Sequence, residues 1–244
     1  MYYVKATNMK EAITKSWEAL KNKGIKRKRN NQSKTDECLE IGLCLDLEND
    51  EFFYDYYAPK CVMLEGIEGL IKYDLEVTEG INDDKFNHTY HKLFAPYFDK
   101  CIDVLVADPT SRRAVLPIAG EASYKDGYPP CMQVIMVDLS ELNEVNLAVV
   151  FRSNDAVKAF PSNLFAVKRL QDLIAKTLTE KSGVEHYLGN IVYVANNFHA
   201  YSNDYGMLDG YLKRMQTAEN GKLFWTSDEY VMALEEYLEK ETNA

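Results

Sequence analysis

The chain has 244 residues, 46% of them hydrophobic, and a formal net charge of −10. That is enough apolar material for a sizeable core, and the acidic balance argues against a nucleic-acid partner, which would need a basic surface. With no run of 18 apolar residues and no signal-peptide core at the N-terminus, the expectation is a soluble, cytoplasmic protein without a membrane partner.

Ile13, Trp17 and Leu20 fall on one stripe of residues 9–22, which predicts an amphipathic first helix. The basic stretch that follows, KNKGIKRKRNNQSKTDE, reads on composition as a solvated loop. CLEIGLCLDL predicts a strand, and FFYDYYA a further strand or edge segment. In HKLFAPYFDKCIDVLVAD, Leu93, Tyr97, Cys101, Val104 and Leu105 recur at helical spacing, with Pro96 early in the run and Asp108–Pro109 as its stop.

RRAVLPI, CMQVIMVDL and NLAVVFRS are three β-rich runs, the last two joined by the polar turn SELNEVN into a hairpin. SNLFAVKRLQDLIAKTL is the strongest helix in the chain. It would bury Leu164, Val167, Leu170, Leu173, Ile174 and Leu178, with Ser162 or Asn163 where a cap belongs. NIVYVANNFHAY predicts a last core strand. SDEYVMALEEYLEK predicts a C-terminal helix opened by Ser227, with Asp228 and Glu229 in its first turn. No repeat or linker divides the chain, so residues 1–244 are expected to form a single α/β (α+β) domain of mixed strands and a long buried helix.

Chemistry concentrates in a few segments. DGYPPCMQVIMVDL fixes Cys131 between two prolines and a strand, a placement that suits a nucleophile. The other cysteines, 38, 44, 61 and 101, form no C-x-x-C pair with it or each other, which fits a reducing compartment. Arg152 and Ser153 end a strand with a guanidinium fork beside a hydroxyl, an anion cradle. Ser111, Arg112 and Arg113 repeat that pairing, and two such clusters in an acidic chain suggest a phosphate. A third basic group, Arg27 to Arg29, could close over it. His199 and Tyr201 share a strand face and could grip a sugar hydroxyl. His88 and His91 are too few ligands for a metal site, and no glycine-rich phosphate loop is present.

Taken in order, SRRAV, PPCMQ, FRSND followed by FPSN, and FHAYS resemble the thymidylate synthase superfamily, which includes phage-type deoxycytidylate hydroxymethylases. The likeness runs from about residue 86 to 210, including FNHTYHKLF, and is nearest in wording to the shorter archaeal and phage members. It implies a mixed sheet with a long buried helix, the sheets of two copies packed back to back in a homodimer. It also implies one-carbon transfer from 5,10-methylenetetrahydrofolate to carbon 5 of a pyrimidine nucleotide, without a metal. Cys131 would add to carbon 6. Arg152, Ser153 and Arg29 (or Arg27) would hold the phosphate, with Arg112 and Arg113 reaching the neighbouring subunit's phosphate. His199 and Tyr201 would hold the 3′-hydroxyl, and Asn163 would read the pyrimidine edge. Asp155 would lie near folate, Tyr90 in the cavity network, and Glu65 or Glu68 would manage protons. The arginines and the phosphate site's field are expected to lower the Cys131 pKa.

Departures from the family pattern shape the expected product. Met132 stands where the family has histidine, Phe151 where it has glutamine, Ala159 for glycine and Asn197 for aspartate. Neither Trp17 nor Trp225 falls where bacterial synthases stack folate, and EEYLEKETNA is not their short apolar tail. Asn163, an amide, suits uracil and so dUMP, where the hydroxymethylases carry aspartate for cytosine. A less securely closed site leans to 5-hydroxymethyl-dUMP, with thymidylate synthesis as the alternative. A nucleotide-binding relative without turnover is the second alternative.

Overall fold

The computed structural model describes residues 1–31, 34–48, 57–60, 66–81, 89–121, 124, 127, 129–217 and 223–242. In chain order these form β1 (Tyr2–Ala6), α1 (Met9–Lys23), β2 (Ile25–Asn31), β3 (Lys34–Leu47), β4 (Ala58–Pro59), α2 (Gly66–Glu79) and α3 (Tyr90–Ala107). Then come β5 (Val115–Pro117), β6 (Met132–Leu139), β7 (Glu144–Phe151), β8 (Asn154–Asp155) and α4 (Phe160–Ser182). The chain continues through β9 (Tyr187–Tyr201), α5 (Tyr205–Thr217), β10 (Phe224–Trp225) and α6 (Ser227–Thr242). Among the described residues, no helix is long and apolar enough to cross a membrane.

Eight of the strands make one mixed sheet in the order β1-β3-β9-β7-β6-β5, with β2 continuing along β3 and β8 along β9. β1 and β7 run parallel to their neighbours β3 and β9; β3–β9, β7–β6 and β6–β5 are antiparallel. Alternation decides which face packs. In β7, Val145, Leu147, Val149 and Phe151 are buried and the residues between them are not. The buried face meets α4, whose Leu164, Val167, Leu170, Ile174 and Leu178 are fully enclosed, while Leu173 is half-buried. The other face keeps a half-exposed apolar row: Cys44, Val134, Ala148, Val150, Val192 and Val194.

Several expectations are corrected. The basic stretch is not a loop: all seven residues of β2 pair with β3, from Ile25 opposite Glu40 to Asn31 opposite Lys34. Opposite charges face across the hairpin, Lys26 Nζ lying 3.2 Å from Glu37 Oε1, which offsets the poor strand propensity of the lysines. In α3, Phe94, Cys101, Ile102 and Leu105 form the buried stripe, whereas Tyr97 stands off it, 46% exposed. Ser162 and Asn163 do not cap α4. The helix already starts at Phe160 with Pro161 in its first turn, where the missing N–H costs nothing. The preceding turn is held by Asp155 Oδ1, which accepts from the Val157 and Lys158 amides, each at 2.9 Å. α6 is capped by Thr226: its Oγ1 accepts from the Glu229 amide at 3.2 Å, and the Glu229 carboxylate accepts from the Thr226 amide at 2.9 Å.

One irregularity positions the functional strand. Between the pairs Leu43–Ala195 and Ile41–Phe198, β3 contributes only Gly42 while β9 contributes Asn196 and Asn197. This bulge changes the parity of β9. Tyr193 and Ala195 face the core before it; Phe198 and Ala200 do so after it. His199 and Tyr201 are thereby turned to the sheet face shared with their cross-strand partners Glu40 and Cys38.

Candidate active site

Cys131 immediately precedes β6 and is half-buried. Its carbonyl accepts from the Arg152 amide at 2.8 Å, which ties the start of β6 to the end of β7. The Arg152 guanidinium turns back over the same turn. Its Nε and Nη2 donate to the Pro129 carbonyl at 3.0 and 2.8 Å, and Nε also reaches the Pro130 carbonyl at 3.2 Å. The prolines thus present their carbonyls to the arginine.

The expected lowering of the Cys131 pKa is not found. Burial pushes the thiol up, and the Arg152 charge offsets this only in part. A guanidinium that is itself exposed and spent on two carbonyls does not overcome desolvation.

Asn163 lies in the first turn of α4, buried at 5% exposure. Its Oδ1 accepts from the Tyr73 hydroxyl of α2. On the other side its amide faces the Tyr193 hydroxyl of β9, too loosely for a hydrogen bond; that hydroxyl has no partner among the described residues. Tyr90, at the start of α3 after the Thr89 cap, completes a ring of phenols that all feel the Cys131 sulfur. Burial drives all three phenols well above their ordinary range, so they stay neutral donors. Glu76, one turn after Tyr73, is the α2 carboxylate that acts on Tyr73 and Tyr90.

The polar end lies at the tip of β9. Ser153 Oγ is 3.5 Å from His199 Nδ1, and the His199 and Tyr201 rings meet edge to face at 5.0 Å. Glu40, opposite His199 in register, takes Arg29 in a two-pronged ion pair, Nε to Oε1 at 2.5 Å and Nη2 to Oε2 at 2.7 Å. Arg27 Nε stands 4.0 Å from the same carboxylate.

The fold therefore brings together Cys131, Tyr90, Arg152, Ser153, Asn163, His199 and Tyr201, with Arg29 beside them. Asp155 pairs with His199 across β8 and β9, but one of its oxygens already holds the turn before α4. Arg112 and Arg113 are exposed in the turn between α3 and β5 and make no contact with the cluster among the described residues. Glu68 is exposed on the first turn of α2, and Glu65 lies outside the described residues. Sequence reasoning missed Tyr73, Tyr193, Glu76 and Glu40. Tyr193 was legible only as a core strand residue, and α2 had no motif to mark it.

Two of the four substituted positions are explained by packing. Phe151 stacks on Tyr193 at 4.6 Å and 22°, and Met132 is buried beside it, so both extend the core where the family has polar groups. Trp17 is fully enclosed: its Nε1 donates to the Ala156 carbonyl at 2.6 Å and its ring stacks on Tyr211. Trp225 lies in β10 with Lys60 Nζ 5.5 Å over its ring. No group of three or more His, Cys, Asp or Glu that could hold a metal occurs among the described residues.

The thymidylate synthase family model matches residues 74–238, more than half of the chain. A Methanosarcina mazei protein, itself only provisionally assigned as a thymidylate synthase, is 31% identical over 154 residues, covering 60% of this chain and 67% of that one. Its Methanosarcina barkeri counterpart, assigned equally provisionally, is 26% identical over 153 residues with the same coverage. The solved structure of thermostable thymidylate synthase A from Bacillus subtilis superposes with a TM-score of 0.64 at 16% identity, covering 91% of this chain and 94% of the other.

Proposed function

Because the chain belongs to the thymidylate synthase family, we propose that it transfers a one-carbon unit to carbon 5 of dUMP through addition of Cys131 to carbon 6. The half-buried Cys131 sulfur, facing a wall of neutral phenols and the clamped Asn163 amide, carries this reading. Beyond its Tyr73 bond Asn163 keeps both N–H donors and one acceptor lone pair, so it can meet the donor and the acceptor of a uracil edge. Charge released into the ring by sulfur addition would meet neutral donors that need no reorganisation. Arg152 and Ser153 would hold the phosphate, and His199 with Tyr201 the sugar hydroxyl. Methylenetetrahydrofolate would supply the carbon as co-substrate. Asp155, with one oxygen beyond the two turn amides it accepts from, would be the polar group nearest to it, and neither tryptophan would stack on it, both being engaged elsewhere.

The half-exposed apolar face of the sheet supports a homodimer. Its apolar row runs along β3, β9, β7 and β6, on the same face as His199 and Tyr201. A second copy docked there would lie next to the polar end of the site, where Arg112 and Arg113 of the neighbour would complete the phosphate cradle.

With Trp17 enclosed and Trp225 held under Lys60 in β10, hydroxymethylation is favoured over reduction to a methyl group, since hydride transfer needs a stacked, dry folate. The similarity to thymidylate synthases favours the second reading, thymidylate formation. Incubation with dUMP and methylenetetrahydrofolate decides. A nucleotide heavier by one hydroxymethyl without dihydrofolate supports the first, dihydrofolate with a methylated nucleotide supports the second, and an unaltered nucleotide refutes both.

A further inference from the structure

The β2–β3 hairpin carries a charged cluster that nucleotide binding alone leaves unexplained. Glu40 is only 6% exposed, yet it is a carboxylate, and both of its oxygens are gripped by Arg29. Arg27, on the same face of β2 two residues earlier, waits 4.0 Å away. The Asn197 side chain donates to the same carboxylate from the β9 bulge. Directly opposite Glu40 is His199, whose ring reaches Ser153. A single buried carboxylate thus stands between two half-exposed guanidiniums at the rim of the anion cradle.

One cation is enough to neutralise one carboxylate, so the cluster holds a spare positive charge. A carboxylate left buried and unpaired would be strongly destabilising. Any movement of Arg29 toward a ligand therefore needs a replacement at Glu40, and Arg27 is within one side-chain adjustment of that place. Two-pronged guanidinium pairing suits a phosphate as well as it suits a carboxylate.

We propose that Glu40 is a positioning residue that stores Arg29 in the free protein and yields it to the phosphate of the incoming nucleotide, Arg27 closing onto Glu40 in exchange. No covalent bond changes; three ion pairs are rearranged, and the carboxylate stays paired throughout. The exchange rests on the nucleotide reading above. It makes the hairpin a latch whose opening weakens binding by the strength of the stored pair, and it gives Arg27 and Arg29 different duties on one strand.

Calorimetric titration of the full chain with inorganic phosphate and with dUMP tests this. Glu40→Gln, which keeps the shape and removes the charge, is expected to bind both about tenfold more tightly, because Arg29 is no longer held. Arg27→Ala is expected to weaken dUMP binding about tenfold in the native background but less than about threefold alongside Glu40→Gln. Unchanged or weaker binding by Glu40→Gln overturns the latch. Tighter phosphate binding with no dUMP binding in any variant supports the latch and removes the nucleotide reading instead. Should Glu40→Gln fail to fold, the exposed Arg27→Ala decides alone: undiminished dUMP binding overturns the exchange.

Discussion

The Tyr73 hydroxyl donates to Oδ1 of Asn163, joining the middle of α2 to the first turn of α4. A neutral phenol here fixes which atoms of the amide remain for a ligand. Replacing the amide by a carboxylate removes its donor, so Asn163→Asp is expected to shift preference from dUMP toward dCMP by about tenfold or more. Competition between the two nucleotides for one enzyme preparation measures this. An unaltered ratio removes Asn163 from base reading.

Cys131→Ser is expected to lower turnover by about a thousandfold or more while dUMP affinity stays within about threefold. Burial raises the thiol, so the thiolate fraction climbs only at alkaline pH. In the wild type, kcat/KM should therefore still be rising through the ordinary thiol range. Arg152→Gln removes the one charge that favours the thiolate and should move that limb further up. A limb well below the ordinary thiol range would contradict the assignment.

If Arg112 and Arg113 serve a neighbouring site, Arg113→Ala and Cys131→Ser chains are each inactive but complementary. Unfolding and refolding them together should recover about a quarter of wild-type activity, the share expected when half the dimers are mixed and each keeps one intact site. No recovery, with dimers present by sedimentation, counts against sharing.

Lys168 is buried on α4 with its Nζ 4.6 Å from the Tyr57 ring, and its pKa is pushed down to about 7, chiefly by burial. The unfolded chain binds that proton up to the ordinary lysine range and the folded one releases it near neutrality. Stability from this group therefore rises with pH from about 7 upward and is lowest below it. Lys168→Met should raise Tm at pH 7, at about 2–4 °C per kcal/mol gained, and flatten the rise toward pH 10. Thermal scans at both pH values test it.

Helices and strands with clean periodicity were legible, and so was the order of motifs from Arg112 to Tyr201. What the sequence hid was long-range pairing. The charge of KRKRNN argues for a loop until β3 is set opposite it, residue by residue. The cap of α4 went astray because Asp155, five residues upstream of Phe160, does the work expected of Ser162 or Asn163. Tyr73 and Glu40 acquire their roles only through Asn163 and Arg29, which lie 90 and 11 residues away. Local patterns contain no trace of such partners. The thiol's raised pKa was hidden for a related reason: counting nearby arginines says nothing about where their guanidiniums are already spent.

The two asparagines set against Gly42 make the β3–β9 pair unusually sensitive to the length of β3. A residue added beside Gly42 would pair off both asparagines, restore an uninterrupted zigzag and send Phe198 and Ala200 to the face now held by His199 and Tyr201. Drift by substitution is open to these strands, but lengthening β3 by one residue at that point would exchange the polar fingertips of β9 for hydrocarbon in a single step.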